Sequence, residues 1–396
     1  MMRSRRRTER SPRPAFGVLM AVLAGALLSS CAPRFAEDAG VTDTPAPDQL
    51  ASAATIPALP PVALPPVALP PVVLPARGSL TADAIIAEDG RRLALRRWLP
   101  HDQAGNPVEP KATIVAAHGF NDYSNAFTMP GEILAAEGIA VFAYDQRGFG
   151  LTANRGRWPG ERALIGDLAL AARLVAARYP GMPHYLMGES MGGAVVLAAV
   201  AGTRNGADGI SDALVGVERP HPDGVILVAP AVWGRSTMPF YQGVALWAGV
   251  RVAPGRSLTG EGLHIQASDN IPMLRALARD PLFIKETRID AVWGLCNLMD
   301  DALDAAPHLT LPALILYGGH DQVIPKVPIR RMIDALPDLA TGTQRVAFYP
   351  DGYHMLLRDL EGPLVTHDVA AWALDRAAAL PSGADRRDAT PILTAR

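Results

Sequence analysis

The sequence predicts an α/β protein with a mostly parallel sheet covered by helices on both faces. Short apolar segments alternate with longer segments of helical periodicity, a pattern typical of parallel strands joined by helical crossovers. A chain of 396 residues, of which 49% are hydrophobic and 19% charged, can bury one large core. The formal net charge of -2 lacks the basic excess of nucleic-acid-binding proteins, so we expect no nucleic-acid partner.

The predicted elements follow one another with one interruption. Strands are predicted at residues 93–99, 112–117, 139–144, 184–187, 224–228, 313–317 and 345–349. Helices are predicted at residues 130–138, 162–179, 192–200, 327–336 and 364–380. Residues 231–306, rich in large apolar side chains, interrupt the alternation as an expected helical cap. These side chains either contact an acyl chain or pack the cap on the body, and their exposure distinguishes the two.

Residues 1–30 have the composition of a secretory signal peptide. Six arginines precede an apolar run that is short for a membrane span, and small residues follow it. Residues 28–31 resemble the lipobox of bacterial lipoproteins, in which the cysteine carries the lipid. The resemblance implies a lipid anchor at Cys31 in the bacterial cell envelope, and Ala32 favours the outer membrane, facing the periplasm. An uncleaved anchor and an ordinary cleaved signal are the alternatives.

The remaining segments divide around one large domain. Residues 31–77 contain three LPPVA-type repeats, and because proline fixes φ and lacks an N–H group we expect an extended spacer. Residues 78–380 are expected to form the folded domain, followed by a flexible tail at residues 381–396. Cys296 is the only cysteine besides Cys31, so no disulfide framework is expected, and we interpret Cys296 as a buried apolar residue.

Ser190 is the candidate nucleophile. It lies in a G-x-S-x-G motif that begins at Gly188, after a predicted strand and before a predicted helix. In this context the motif forms a nucleophile elbow, a turn so tight that only glycine fits beside the serine. A serine hydroxyl needs a base to take its proton and an acid to orient that base.

His354 and Asp321 are the candidate base and acid. In the order typical of this motif, both follow the serine, acid first. Of the nine histidines, His354 alone comes after the serine and directly after the last strand. Asp321 lies shortly after the strand at residues 313–317. The carboxyl ends of parallel strands are where such sheets carry their catalytic residues. The rival carboxylates occupy a predicted helix or lie too close to the histidine: Asp300, Asp301, Asp304 and Asp351.

The oxyanion of an acyl-transfer intermediate needs two N–H donors. One is expected from Met191, the residue after the nucleophile, and the other from Phe120 in the loop after an early strand. We expect His118 to support this loop, whereas residues 121–123 either contact substrate or cap the next element. The role of Glu189, beside the nucleophile, stays open between tuning the site and stabilising the helix start.

These motifs together resemble the monoacylglycerol lipase and lysophospholipase branch of the α/β-hydrolases, also called serine aminopeptidase S33 or hydrolase-4. The resemblance covers about residues 78–380 and rests on five segments: HGF at 118–120, DQRGFG at 145–150, GESMGG at 188–193, GHDQVIP at 319–325 and GYHM at 352–355. It implies the α/β-hydrolase fold and a serine hydrolase that cleaves lipid-type carboxylic esters.

Other activities stay open beside the lipase interpretation. The same triad serves aminopeptidases and thioesterases, and an envelope lipoprotein could use this scaffold for binding without turnover. The sequence contains no metal-ligand cluster and no phosphate-binding glycine loop, so no cofactor is implied. The expected partners are a small lipid or ester and, through Cys31, a membrane; the oligomeric state stays open.

Overall fold

The computed structural model describes residues 78–202, 218–259 and 265–386. The predicted signal peptide, the spacer with Cys31 and residues 387–396 of the predicted tail lie outside the described residues. The strands are β1 (Ser79–Leu80), β2 (Ala84–Ile86), β3 (Arg92–Trp98), β4 (Ala112–Ala117), β5 (Ile139–Tyr144), β6 (His184–Glu189), β7 (Gly224–Val228), β8 (Ser257–Thr259), β9 (Glu286–Arg288), β10 (Ala313–Gly318) and β11 (Gln344–Tyr349). The helices are α1 (Thr128–Ala136), α2 (Glu161–Arg178), α3 (Met191–Ala201), α4 (Phe240–Val252), α5 (Ile271–Arg279), α6 (Ile289–Ala305), α7 (Lys326–Asp334) and α8 (Gly362–Leu374).

Nine of these strands form one sheet in the order β1-β2-β3-β5-β4-β6-β7-β10-β11. From β5 to β11 all neighbours run parallel, and β1 to β3 extend the sheet antiparallel at the β5 edge. Strands β8 and β9 form a separate antiparallel pair. The predicted mostly parallel sheet is therefore confirmed.

The central strands are buried on both faces, which explains their unbroken apolar sequences. Every residue of β4 is buried, and its side chains alternate between two cores. Val115 belongs to the core formed with α2, α3, α6 and α7, whereas Ile114 and Ala116 belong to the core formed with α1 and α8. The helices therefore cover both faces of the sheet.

Between β7 and β10 the chain leaves the sheet. This insertion holds α4, α5, α6 and the β8–β9 pair, and it precedes the strand that leads to Asp321, as the fold prediction requires. Helix α6 packs against α3 and buries Leu298 and Ala302. None of the helices that the structure describes is long and apolar enough to cross a membrane.

The last helix is shorter than predicted. It ends at Leu374 because Asp375 adopts an extended backbone and its Oδ1 accepts a hydrogen bond from the N–H of Ala377 at 2.9 Å. Leu380 is nevertheless buried in the same core as α8. Because Leu380 is apolar and buried, the apolar pattern in the sequence continues past the end of the helix. The predicted helix end at residue 380 is therefore wrong.

Candidate active site

Ser190 lies at the sharp turn between β6 and α3, at the carboxyl edge of the sheet. Its φ of 53° and ψ of -115° lie outside the ordinary helical and extended regions. The turn leaves no room for neighbouring side chains: a Cβ on Gly188 would lie 2.3 Å from the carbonyl carbon of Gly192. A Cβ on Gly192 would lie 1.9 Å from the carbonyl oxygen of Ala117. The two glycines of the motif are therefore required by close backbone packing.

The structure brings Ser190, His354 and Asp321 together in one hydrogen-bonded chain. His354 Nε2 lies 2.9 Å from Ser190 Oγ, and His354 Nδ1 lies 2.8 Å from Asp321 Oδ2. His354 follows β11 and Asp321 follows β10, so neighbouring parallel strands deliver both side chains to the same edge. In this arrangement the imidazole can accept a proton from the serine while its other nitrogen stays bound to the carboxylate.

Both carboxylate oxygens of Asp321 are engaged. Oδ1 accepts hydrogen bonds from the backbone N–H groups of Val323 at 2.8 Å and Ile324 at 2.9 Å. Oδ2 faces His354. The two backbone donors orient the carboxylate, and with it the imidazole.

The pKa of His354 is raised above its usual value of 6.5. Burial alone lowers the pKa, since it disfavours the charged imidazolium, but the charge and the hydrogen bond of Asp321 outweigh this effect. The charge of Glu189 adds to the rise, and that of Arg358 opposes it. The site therefore favours the imidazolium that forms when the base takes a proton.

The two predicted oxyanion donors flank the elbow. Met191 is the first residue of α3, where N–H groups have no partner within the helix. Phe120 lies in the turn after β4, next to Gly119, and a Cβ on Gly119 would lie 3.4 Å from the Cβ of Ser190. The turn therefore runs close to the serine. The aromatic ring of Phe120 packs edge-on against the ring of Phe149.

His118 takes no part in the Ser190 contacts and holds the turn instead. Its Nδ1 lies 2.8 Å from the carbonyl oxygen of Gly119, and its Nε2 accepts the N–H of Gln146 at 3.0 Å. Burial lowers its pKa, so the neutral ring fits both contacts. These contacts agree with the expected supporting role.

Asn121 and Tyr123 contact the insertion. The carbonyl oxygen of Asn121 accepts the N–H of Ile284 at 2.9 Å, and the hydroxyl of Tyr123 donates to Asp280 at 2.7 Å. Asn121 reaches this position with a φ of 67°. Hydrogen bonds therefore connect the turn that carries Phe120 to the insertion between β7 and β10.

Among the described residues, neither the rival acids nor the second cysteine forms a hydrogen bond with Ser190 or His354. Asp300 pairs with Arg235, and burial raises the pKa of Asp301, its neighbour in α6, to about 7. Asp351 is exposed. Cys296 is buried in α6, and burial raises the pKa of its thiol to about 12.

Sequence reasoning missed Arg358 and Asp359. Arg358 pairs with Glu189 at 3.1 Å, and Asp359 accepts hydrogen bonds from Ser268 at 2.6 Å and from the N–H of Tyr353 at 2.7 Å. Glu189 closely follows a predicted strand, and a buried carboxylate needs a cation as its partner. This need was the only signal in the sequence that pointed to such a cation. The identity of that cation, 169 positions away, depends on the tertiary fold.

In the part of the chain that the structure describes, no group of three or more histidine, cysteine or acidic side chains could hold a metal ion. Ser190, His354 and Asp321 each have a partner in the hydrogen-bonded chain. Its chemistry is that of a serine nucleophile with a general base.

The sheet order, the elbow and the Ser190–His354–Asp321 contacts define an α/β-hydrolase. Residues 108–361 match the model of the hydrolase-4 family, described as serine aminopeptidase S33, and the chain belongs to this family.

Curated relatives span most of this chain. A monoacylglycerol lipase of Mycolicibacterium smegmatis is 27% identical over 296 residues, which cover 72% of this chain and 93% of the relative. A human monoglyceride lipase is 27% identical over 310 residues, covering 74% of this chain and 90% of the relative.

Solved structures share the fold. The crystal structure of Paleococcus ferrophilus monoacylglycerol lipase superposes with a TM-score of 0.54 at 19% identity, covering 72% of this chain and 99% of that protein. A soluble variant of Saccharomyces cerevisiae monoglyceride lipase gives a TM-score of 0.57 at 19% identity, covering 75% and 96%. At these identities the likeness establishes the fold.

Proposed function

We propose that this protein is a serine hydrolase that cleaves lipid-type carboxylic esters, such as a monoacylglycerol or a lysophospholipid, through an acyl-enzyme. The single observation that carries the proposal is the hydrogen-bonded chain from Ser190 through His354 to Asp321. The protein is a carboxylic ester hydrolase, in line with relatives named monoglyceride lipase. The lipid substrate and the covalent mechanism are our proposal.

In the acylation step, Ser190 Oγ attacks the ester carbonyl carbon while His354 Nε2 takes the hydroxyl proton. The carbonyl oxygen becomes an oxyanion, to which the N–H groups of Phe120 and Met191 donate. The intermediate collapses when His354 returns its proton to the leaving alcohol, which leaves the acyl group on Ser190. Asp321 keeps the imidazolium oriented throughout.

In the deacylation step, water replaces the alcohol. His354 takes a proton from water as the water oxygen attacks the acyl carbon, and the same two N–H groups stabilise the second oxyanion. Collapse returns the proton to Ser190 and releases the carboxylic acid. The atoms balance with water as the only co-substrate.

The exposure of the cap side chains supports a lipid substrate. Phe240 and Trp247 of α4 are 84% and 51% exposed, whereas Leu246 of the same helix is buried. Met238, Phe240, Val244 and Trp247 line a cavity of about 450 Å³ together with Arg235, Pro239 and Gly243. Packing of the cap accounts for Leu246, but it does not account for large apolar side chains that face solvent. An acyl chain is a partner of matching chemistry.

We also propose that the protein is a lipoprotein of the bacterial cell envelope, anchored at Cys31 to the outer membrane and facing the periplasm. The support is the lipobox-like sequence at residues 28–31 and the proline-rich spacer that follows it. A spacer of this length would let the domain work at some distance from the membrane surface.

Hydrolysis of a substrate panel tests the proposed function. The panel comprises para-nitrophenyl esters of increasing chain length, a monoacylglycerol, a lysophospholipid and an aminoacyl anilide, assayed with the unmodified protein and Ser190→Ala. We expect turnover of the esters and of at least one lipid, and its loss in Ser190→Ala. Cleavage of the anilide alone would make the protein an aminopeptidase. A folded protein that cleaves none of these substrates would favour a binding role.

A further inference from the structure

A buried ion-pair cluster lies beside the catalytic chain. It consists of Asp122, Glu189 and Arg358, and we call it the Arg358 cluster. Arg358 Nη1 lies 2.8 Å from Asp122 Oδ2, and its Nη2 lies 3.1 Å from Glu189 Oε1. The side chains of Asp122 and Glu189 are 3% and 2% exposed, and that of Arg358 is 10% exposed. Three charged side chains are therefore buried next to one another.

Each member of the cluster belongs to a different catalytic segment. Asp122 closes the turn that contains Phe120, because its N–H donates to the carbonyl oxygen of Gly119 at 3.3 Å. Glu189 directly precedes Ser190 at the end of β6. Arg358 lies in the loop after β11, four positions beyond His354. One guanidinium therefore joins the oxyanion turn, the elbow and the loop of the base.

The chemistry of the cluster suits arginine. Burial alone lowers the pKa of Arg358, but the charges of Asp122 and Glu189 outweigh it and raise the pKa above its usual value. The group is therefore charged. A planar guanidinium can donate to two carboxylates from two of its nitrogens at once, whereas an ammonium is a single point charge.

We propose that Arg358 is a positioning residue that sets the spacing of the oxyanion donors and the base by pairing with Asp122 and Glu189 at the same time. The inference rests on the proposed function, since it assigns a task within that reaction. Phe120 lies two positions before Asp122, and Met191 lies two positions after Glu189. A shift of either carboxylate would therefore move one oxyanion donor relative to Ser190.

The cluster also acts on the charge of the base. The charged groups that face His354 are Asp321, Glu189 and Arg358: the first two favour the imidazolium and the third disfavours it. Loss of the Glu189 charge should lower the pKa of His354, and loss of the Arg358 charge should raise it. These opposite shifts report the electrostatic effect of the two charges on the base, whereas kcat of Arg358→Lys reports the positioning of the catalytic groups.

Three variants separate geometry from charge. Arg358→Lys keeps the charge but cannot span both carboxylates, so kcat on a soluble ester should fall about 10- to 100-fold with KM within about twofold, as for a displaced catalytic group. Glu189→Gln and Arg358→Met change the charge. Titration of the His354 imidazole by NMR, in histidine-labelled protein with the resonance assigned by its loss in His354→Gln, should give a lower pKa in Glu189→Gln and a higher one in Arg358→Met.

Arg345→Met is the matched control. Arg345 forms a comparably buried ion pair with Asp385 at the other end of β11, so this variant should lose stability while kcat and the His354 titration stay unchanged. If Arg358→Met does not fold, as judged by circular dichroism, Arg358→Lys and Glu189→Gln carry the test.

Unchanged kcat in folded Arg358→Lys together with an unchanged His354 pKa in Glu189→Gln would overturn the inference. Opposite NMR shifts in a protein that cleaves no ester would instead support the cluster and refute the proposed function.

Discussion

At the scale of single residues, the two carboxylate oxygens of Asp321 have different partners. Asp321 Oδ1 is held by two backbone N–H groups, so Oδ2 is the oxygen that faces His354. Because the carboxylate binds Nδ1–H, the imidazole must present its unprotonated Nε2 to Ser190. The acid therefore determines both the orientation and the tautomer of the base.

The first prediction concerns that acid. An asparagine at position 321 can donate to Nδ1 and so favour the wrong tautomer, and we expect Asp321→Asn to lower kcat about 10⁴-fold with the fold retained. Steady-state kinetics on a soluble ester measures the loss. Asp351→Asn, an exposed carboxyl in the same loop as His354, is the control that should stay active. Comparable activity of the two variants would show that Asp321 is not the acid.

The second prediction concerns pH. Since Asp321 raises the pKa of His354 above 6.5, the neutral base is lost as the pH falls through this raised value. The rate constant kcat/KM should therefore be constant at higher pH and drop to half at a pH above 6.5. A pH–rate profile with a soluble ester measures the midpoint, and a midpoint at or below 6.5 would count against this electrostatic account.

The sequence predicts the Ser190, His354 and Asp321 positions because each follows a recognisable strand in a fixed order. It does not predict the Arg358 cluster, because nothing local to Arg358 signals that Asp122 and Glu189 approach it. Pairs between distant segments depend on the packing of the whole sheet. The partner of Glu189 is visible only in three dimensions, where it pairs with Arg358.

At the scale of elements, the strand-turn-helix unit formed by β6 and α3 is the most constrained part of the site. The carbonyl oxygen of Val228 at the end of β7 accepts the N–H of Ser190, and the Ser190 carbonyl accepts the N–H of Ala231, both at 2.9 Å. Backbone contacts on both sides therefore hold the serine in its left-handed conformation. The unit tolerates little added volume.

The third prediction tests this constraint. In Gly192→Ala, the new Cβ would lie 1.9 Å from the carbonyl oxygen of Ala117, so β4 and the elbow must separate. We expect the free energy of unfolding to fall by about 3 kcal/mol and activity to be lost. The control is Gly243→Ala in α4, where a Cβ meets no atom within 4 Å and helix propensity favours alanine by about 1 kcal/mol. Urea unfolding compares the two, and equal stability would refute the constraint.

The strands that are buried on both faces are predicted more accurately than the short paired strands. Strand β7 has the predicted bounds because its apolar run is buried on both faces. Strands β1, β2, β8 and β9 contain only two or three residues each, and their pairing, not a sequence pattern, defines them. The overlong last helix has a similar cause, since burial of Leu380 imitates helical periodicity.

At the scale of the whole molecule, we propose that a lipid anchor, a spacer and a hydrolase domain share one chain. The structure describes residues of the hydrolase domain from Gly78 onward, and the proline-rich repeats precede them in the sequence. The fourth prediction is that Cys31→Ser releases the protein from the membrane fraction of a bacterial host, because the cysteine is the proposed lipid attachment site. Turnover of a soluble ester should stay unchanged, since the catalytic residues follow residue 78. Membrane retention equal to that of the unmodified protein would contradict an anchor at Cys31.

The covalent intermediate is the central claim, and mass spectrometry of the digested, acid-quenched protein tests it most directly. The protein is mixed with a para-nitrophenyl ester, quenched in acid within the first turnovers and digested. The account predicts one added acyl group, located on the peptide that contains Ser190, and no adduct in Ser190→Ala. An adduct on another residue, or undiminished ester turnover in Ser190→Ala, would contradict it.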